Sequence, residues 1–338
     1  MIIRERGPFG TIHLAIVRPK KNDSSLKMVV VKVTPIAIKY YNRWFIGDKC
    51  VNEANAIKWN NEYVNNEAKT LSCLCHPNII NFVGWYMNHG AFYLIVDYHE
   101  GGTLADFIPP SGNDEVSTLC LMVQVFDAVK YIHDHNIAHC DINPENILIS
   151  SDHKRLILTN FDHAQIECDG LIKDPEYFKI DTSKFIKEMA GFYGPECDPR
   201  ENIPFKGFKK ADMYSLGVTI YVVLTYHLPF DPTQSIRHQS LLFPDYISLS
   251  AQHFIQNLLS IDPLRRMTIS DCFNHSWLRI HDTSGRRLKQ SSNITNQSKK
   301  IHKKYFNHNN HNHLNNHHII HSRRNHLFSQ KNCDISCT

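Results

Sequence analysis

The sequence predicts an α+β fold followed by a polar tail, and three features carry that prediction. The first hundred residues hold β-branched and aromatic runs, MVVVKV at Met28 to Val33 and AFYLIVDY at Ala91 to Tyr98, which have the length and composition of strands. From Leu119 to His133 the apolar residues Met122, Val125, Phe126, Val129 and Ile132 keep helical period, and a second apolar stretch runs from Met213 to Phe230. Beyond Arg279 the composition shifts to Ser, Asn, His, Lys and Arg. A segment so poor in apolar residues cannot offset its chain entropy, and disorder is expected there.

Composition narrows the class. With 338 residues, 42% apolar and 21% charged, the chain reads as an ordinary globular protein with room for a sizeable core. Arg4, Glu5 and Arg6 interrupt the N-terminus before any apolar run develops, so no signal peptide is expected. Ser215, Gly217, Thr219, Thr225 and His227 break the longest apolar stretch, which reads as a helix buried in a large core and not as a membrane span. The ten cysteines are scattered without a CxxC pair, which fits reduced thiols in an intracellular protein, cytoplasmic or nuclear. From His281 onward ten Lys and Arg stand against two acidic residues on a chain of net charge +4, so the body is mildly acidic and the tail basic.

The stretch around which the chain is organised is HCDINPENILI, His139 to Ile149. It sets a carboxylate, Asp141, and an amide, Asn146, five residues apart ahead of an apolar strand. Asp and Asn at that spacing alone would mean nothing; the whole run resembles the catalytic loop of the eukaryotic protein kinase superfamily, H-x-D-[LI]-x-x-x-N. The resemblance implies a two-lobed protein kinase fold over residues 1–279, with a small β-rich lobe to residue 97, a larger helical lobe over 98–279, and the tail at 280–338. It implies ATP and Mg²⁺ (or Mn²⁺) as cofactors. Asp141 would accept the proton of the substrate hydroxyl, and Asn146 would hold the metal.

The other landmarks follow in order. RERGPFGTIHLAIVRP resembles the glycine-rich loop that covers the nucleotide, with Gly7 and Gly10 as its second and third glycines, Phe9 at the tip, and Ile12 and Ala15 after it. In MVVVKV, Lys32 is the candidate for the lysine that contacts the phosphates; Lys39, within IAIKYY, is its rival. Glu67, before His76-Pro77-Asn78-Ile79, is the candidate partner of that lysine. Tyr40 to Glu62 reads as an insertion that runs into the start of a helix. Val96 falls at the gatekeeper position, Asp97 to His99 would offer backbone groups to an adenine, and Leu148 would line the same site. Asn160-Phe161-Asp162 stands where the family has Asp-Phe-Gly, which makes Asn160 the second metal ligand. Gly194-Pro195-Glu196 stands for Ala-Pro-Glu, and Arg266 is placed to pair with Glu196 through both carboxylate oxygens. Asp212, opening the buried helix, is positioned to brace the catalytic loop, and Leu71, Phe82, His139 and Phe161 map onto the hydrophobic spine.

Six positions depart from the family pattern. Glu5 replaces the first glycine, Cys140 an arginine that reads an activation-loop phosphate, and Asn143 a lysine that contacts the transferring phosphate. Asn160 replaces the principal metal-binding aspartate, Asp162 a glycine, and Met189 a threonine. Asn160 offers an oxygen without charge; with Phe161 in the spine, Asp162 is expected to point away from the metal. Two functions from different classes stay open: a slow or atypical serine/threonine kinase, and a pseudokinase that binds without transferring. A protein substrate or signalling partner is implied, with no membrane. The tail, with KKIHKK and seven histidines between Tyr305 and His326, offers a nucleic-acid or acidic-partner contact, or a metal tract.

Overall fold

The computed structural model describes residues 5–7, 10–18, 26–41, 43–46, 49–64, 66–166, 191–197, 206–280 and 334–335. They fall in two compact units. One draws on Met1–Cys75 and Asn81–Tyr98 with the end of the chain, and the other on His76–Ile80 and His99–Arg287.

The first unit is a sheet with strands β1 (Glu5–Gly7), β2 (Gly10–Arg18), β3 (Lys27–Pro35), β7 (Phe82–Asn88) and β8 (Ala91–Asp97), in the antiparallel order β1-β2-β3-β8-β7. A two-residue strand, Asp334–Ile335, pairs with Arg18 and Val17; the tail on either side of it lies outside the described residues. Alternation along β3 buries Val29 and Val31, which pack with Val17 and Ile95. Lys32, one residue on, therefore leaves that face. Gly10 is required by close approach: a Cβ there would collide with the Val33 carbonyl oxygen.

Between β3 and β7 the insertion has a defined structure that the sequence did not disclose. It forms a second antiparallel sheet of β4 (Ala37–Tyr40), β5 (Arg43–Ile46) and β6 (Lys49–Val51), then helix α1 (Glu53–Lys58), a π-helical stretch (Trp59–Val64) and α2 (Asn66–Ser72). The Asn60 side chain ties the helical part to this sheet, accepting from the Ala37 N–H and donating to the Ala37 carbonyl.

The second unit is mainly helical. After α3 (Leu104–Phe107), opened by a Thr103/Asp106 capping box, comes α4 (Glu115–Asp134), whose Met122, Val125, Phe126, Val129 and Ile132 are all buried, as their spacing predicts. It begins four residues before the periodic stretch because Asp114 caps it, accepting from the Ser117 N–H at 2.9 Å. The strands β9 (Ile137–Ala138), β10 (Ile147–Ile149), β11 (Leu156–Leu158) and β12 (Gln165–Ile166) frame the loop between them. The buried helix α5 spans Phe208–Thr225, opening before Asp212 and ending at Tyr226 in the left-handed region, short of the Phe230 that composition had included. Helices α6 (Leu249–Leu258), α7 (Ile269–Asn274) and α8 (Ser276–Ile280) complete the unit. A Cβ at Gly217 on α5 would press on Leu258 and Leu259, so this glycine lets the two helices approach. Among the described residues no helix is long and apolar enough to cross a membrane.

His76 opens the second unit with a ring packed on Tyr131 (5.0 Å between centroids) and Nδ1 accepting from the Asn78 N–H at 3.1 Å. Burial lowers its pKa from 6.5 to about 4. The unfolded chain therefore takes up a proton near pH 6.5 that the folded chain refuses until about pH 4, so the contribution of His76 to stability is full above 6.5 and is lost as pH falls towards 4. Thermal unfolding between pH 7 and 4 is expected to fall more steeply for wild type than for His76→Gln; parallel curves would contradict this.

Candidate active site

The candidate positions divide between the two units. In the first, Lys32 on β3 reaches α2, where its Nζ lies 2.8 Å from each Glu67 carboxylate oxygen. Glu67 is buried. The rival Lys39 sits exposed on β4 with its ammonium 5.8 Å from the centroid of the Trp44 ring, so the ion pair to the helix falls to Lys32. Ile12 is the cross-strand neighbour of Lys32 on β2, and Gly7 pairs with Gly10 where β1 meets β2. The side chain of Glu5 and all of Phe9 lie outside the described residues. Val96 is buried and faces Val30 on β3 and Phe82 on β7. The Asp97 N–H is taken by the Asn81 carbonyl at 3.1 Å and its carboxylate by Lys27 at 2.7 Å.

In the second unit His139 to Asn146 is held from beneath by Asp212. This fully buried carboxylate accepts from the backbone N–H of His139 (2.8 Å) and of Cys140 (2.7 Å), and lies 2.9 Å from His133 Nε2. Cys140 sits at φ 65°, in the left-handed region, a conformation stabilised by the bond from its N–H to Asp212. The His139 ring accepts from the Asp141 N–H at Nδ1 and donates to the Thr159 carbonyl from Nε2, which fixes its neutral tautomer; burial lowers its pKa accordingly. The ring meets Phe161 edge-on at 4.6 Å, and Phe161 is fully buried.

Asp141 is gripped by two amides. Asn143 Nδ2 donates to Oδ1 at 3.0 Å and Asn146 Nδ2 to Oδ2 at 2.6 Å. Burial pushes the Asp141 carboxyl up to about 7; His163 pulls it down and Asp162 pushes it further up. The Asp162 carboxylate lies beside His163, with 3.9 Å between its Oδ1 and His163 Nε2. Asn160 occupies the left-handed region at φ 65° and is half-buried. Leu148 is half-buried on β10, opposite Ile157. His99 begins the main segment of this unit. Met189 lies outside the described residues.

The residues present fit a hard divalent cation, although without negative charge from the positions expected to ligate it. Both amide protons of Asn146 are used, towards the Asp141 carboxylate and the Asp141 carbonyl (2.8 Å), so its amide oxygen is the atom that could ligate a cation. Such oxygen donors suit Mg²⁺ or Mn²⁺. The predicted pair of Glu196 and Arg266 is present: two hydrogen bonds of 2.6 and 2.9 Å join side chains with no exposure. Sequence reasoning passed over the part played by Asn143. Its signal was Asn-Pro, a cap followed by a proline at the first position of a helical turn.

Comparison with known proteins identifies the family. A model of the protein kinase domain matches residues 36–278, a span that starts after Lys32, so the assignment of that lysine rests on the geometry. The chain is 30% identical over 245 residues to the serine/threonine-protein kinase RAD53 of Saccharomyces cerevisiae, covering 65% of this chain and 28% of that protein. It is 31% identical to the calcium/calmodulin-dependent protein kinase cmkA of Emericella nidulans (69% and 56%), and 31% identical to the serine/threonine-protein kinase dkf-1 of Caenorhabditis elegans (81% and 35%). The chain thus spans between about a quarter and three fifths of the length of these relatives. With the family model covering well over half its length and its loop braced as described, the chain belongs to the protein kinase family.

Proposed function

We propose that this chain binds ATP with a divalent cation and transfers the γ-phosphoryl group to a serine or threonine hydroxyl of a protein, slowly because its metal ligands are neutral. The observation that carries the reading is the Asp141 carboxylate, buried and fixed through both oxygens on a loop braced by Asp212. In this reading Asp141 accepts the proton of the attacking hydroxyl. Lys32, oriented by Glu67, neutralises phosphate charge, while Gly7 and Gly10 let the backbone approach the nucleotide. Val96, Asp97, His99, Ile12 and Leu148 contact the base and sugar. Asn146 and Asn160 hold the cation, which when bound offsets the charge of the phosphates. The names of the relatives support serine or threonine as acceptor.

A second reading is favoured by one specific feature, the neutral Asn160: a pseudokinase that binds nucleotide and signals by shape. Incubating the full chain with ATP and Mn²⁺, then mapping phosphate by mass spectrometry, separates the two. Phosphoserine or phosphothreonine is expected; nucleotide binding without any transferred phosphate would favour the pseudokinase.

Binding itself tests the lysine assignment. ATP is expected to raise the unfolding temperature of wild type and of Lys39→Met, and to raise that of Lys32→Met far less. The opposite ranking would move the phosphate contact to Lys39.

A further inference from the structure

We propose that Asn143 is a positioning residue for Asp141, a working replacement for the lysine that kinases keep at this position and not simply its loss. The proposal rests on the reading that Asp141 takes part in phosphoryl transfer. Asn143 has no exposure, and the surrounding structure uses its side chain completely. Its amide nitrogen donates to Asp141 Oδ1 at 3.0 Å and to the Asp141 carbonyl at 3.1 Å; its oxygen accepts from the backbone N–H of Glu145 at 2.9 Å and of Asn146 at 3.1 Å. A primary amide offers two donors and two lone pairs, so all four are satisfied.

Asn146 makes the mirror pair of bonds, to Asp141 Oδ2 at 2.6 Å and again to the Asp141 carbonyl at 2.8 Å. The carboxylate is therefore held from both sides by neutral donors, and its plane is set by two side chains that are themselves locked to the backbone. The acceptor half of Asn143 caps the short turn Pro144–Asn146, which carries Asn146. One buried amide thus fixes the carboxylate directly and also seats the residue that fixes its other oxygen.

A lysine could not do this. An ammonium has three donors and no acceptor, so the Glu145 and Asn146 N–H groups would lose their partner. Its ammonium could pair with the Asp141 carboxylate, but its longer chain would have to be housed at a position without exposure. Restoring the residue usual in the family is therefore expected to harm this chain.

The test separates holding Asp141 from capping the turn. Asn143→Ala removes both functions. Asn143→Ser keeps a cap, since serine caps as well as asparagine does, but it is too short to cap and donate to the carboxylate together. With the full chain, ATP and Mn²⁺, phosphate transfer by Asn143→Ser is expected to lose about a hundredfold in kcat, with the KM for ATP within about twofold of wild type, the scale of a misplaced general base. Its unfolding temperature should return most of the way from Asn143→Ala to wild type. Asn143→Lys is expected to turn over more slowly than wild type. If kcat recovers together with stability in Asn143→Ser, or if Asn143→Lys is faster than wild type, Asn143 is a structural cap and the proposal is wrong. A wild-type chain that binds ATP and transfers nothing overturns the phosphotransfer reading and this proposal with it, whereas an active wild type matched by Asn143→Ser overturns this proposal alone.

Discussion

Arg266→Met is expected to destabilise the second unit by about 3–5 kcal/mol, the usual result of leaving one member of a buried ion pair without its counter-charge. Arg266 donates to both Glu196 oxygens, to the Ser260 carbonyl through Nε and one terminal nitrogen, and to the Lys210 carbonyl, with its guanidinium 5.1 Å from the centroid of the Tyr214 ring. Methionine would fill much of the volume but would leave the carboxylate and two carbonyls without their donor. For a domain of this size the change should lower the unfolding temperature by roughly 10 °C. Removing both charges, Arg266→Met with Glu196→Gln, should recover part of that loss. A single variant that unfolds within about 2 °C of wild type would contradict the assignment of Arg266 and Glu196 as the buried tie of this unit.

Asn160→Asp is expected to raise the rate of phosphate transfer about tenfold or more, because a carboxylate adds the negative charge that a bound cation lacks at this position. Wild type should accordingly need high metal or prefer Mn²⁺, which binds mixed sites more tightly than Mg²⁺. Titration of the rate with each metal, for wild type and Asn160→Asp, checks both points. The variant should shift half-saturation to lower metal. An unchanged rate in an already active chain would mean that the metal is held elsewhere, and the carboxylate of Asp162, two residues on in the chain, would be the first group to replace.

Much of this was legible in the sequence because it depends on local pattern. Period set the buried face of α4, and the resemblance to the kinase pattern implied the roles of Asp141, Asn146 and Asp212 and the pairing of Arg266 with Glu196. Choosing between Lys32 and Lys39 needed the fold. Both lie on β-branched stretches, and only the position of α2 decides which ammonium meets Glu67. The sheet of β4, β5 and β6 was not legible, since strands of three or four residues give too few alternations to register. Helix starts were misplaced at α4 and α5, where Asp114 and Gly207 precede the apolar stretch that draws attention. The role of Asn143 was hidden because comparison with the family pattern registers only what is missing. Its four hydrogen bonds depend on the loop being closed.

In the proposed reaction Asp141 serves phosphoryl transfer. The most direct measurement is the transfer of radiolabelled γ-phosphate from ATP, with Mn²⁺ present, by purified wild type and by Asp141→Asn at ATP concentrations that saturate both. Asparagine preserves the shape of the side chain and removes the base. Measurable incorporation is expected of wild type, with a fall of about 10²–10⁴ in Asp141→Asn and nucleotide binding intact. Equal incorporation by the two, or none by a wild-type chain that binds ATP, would contradict it.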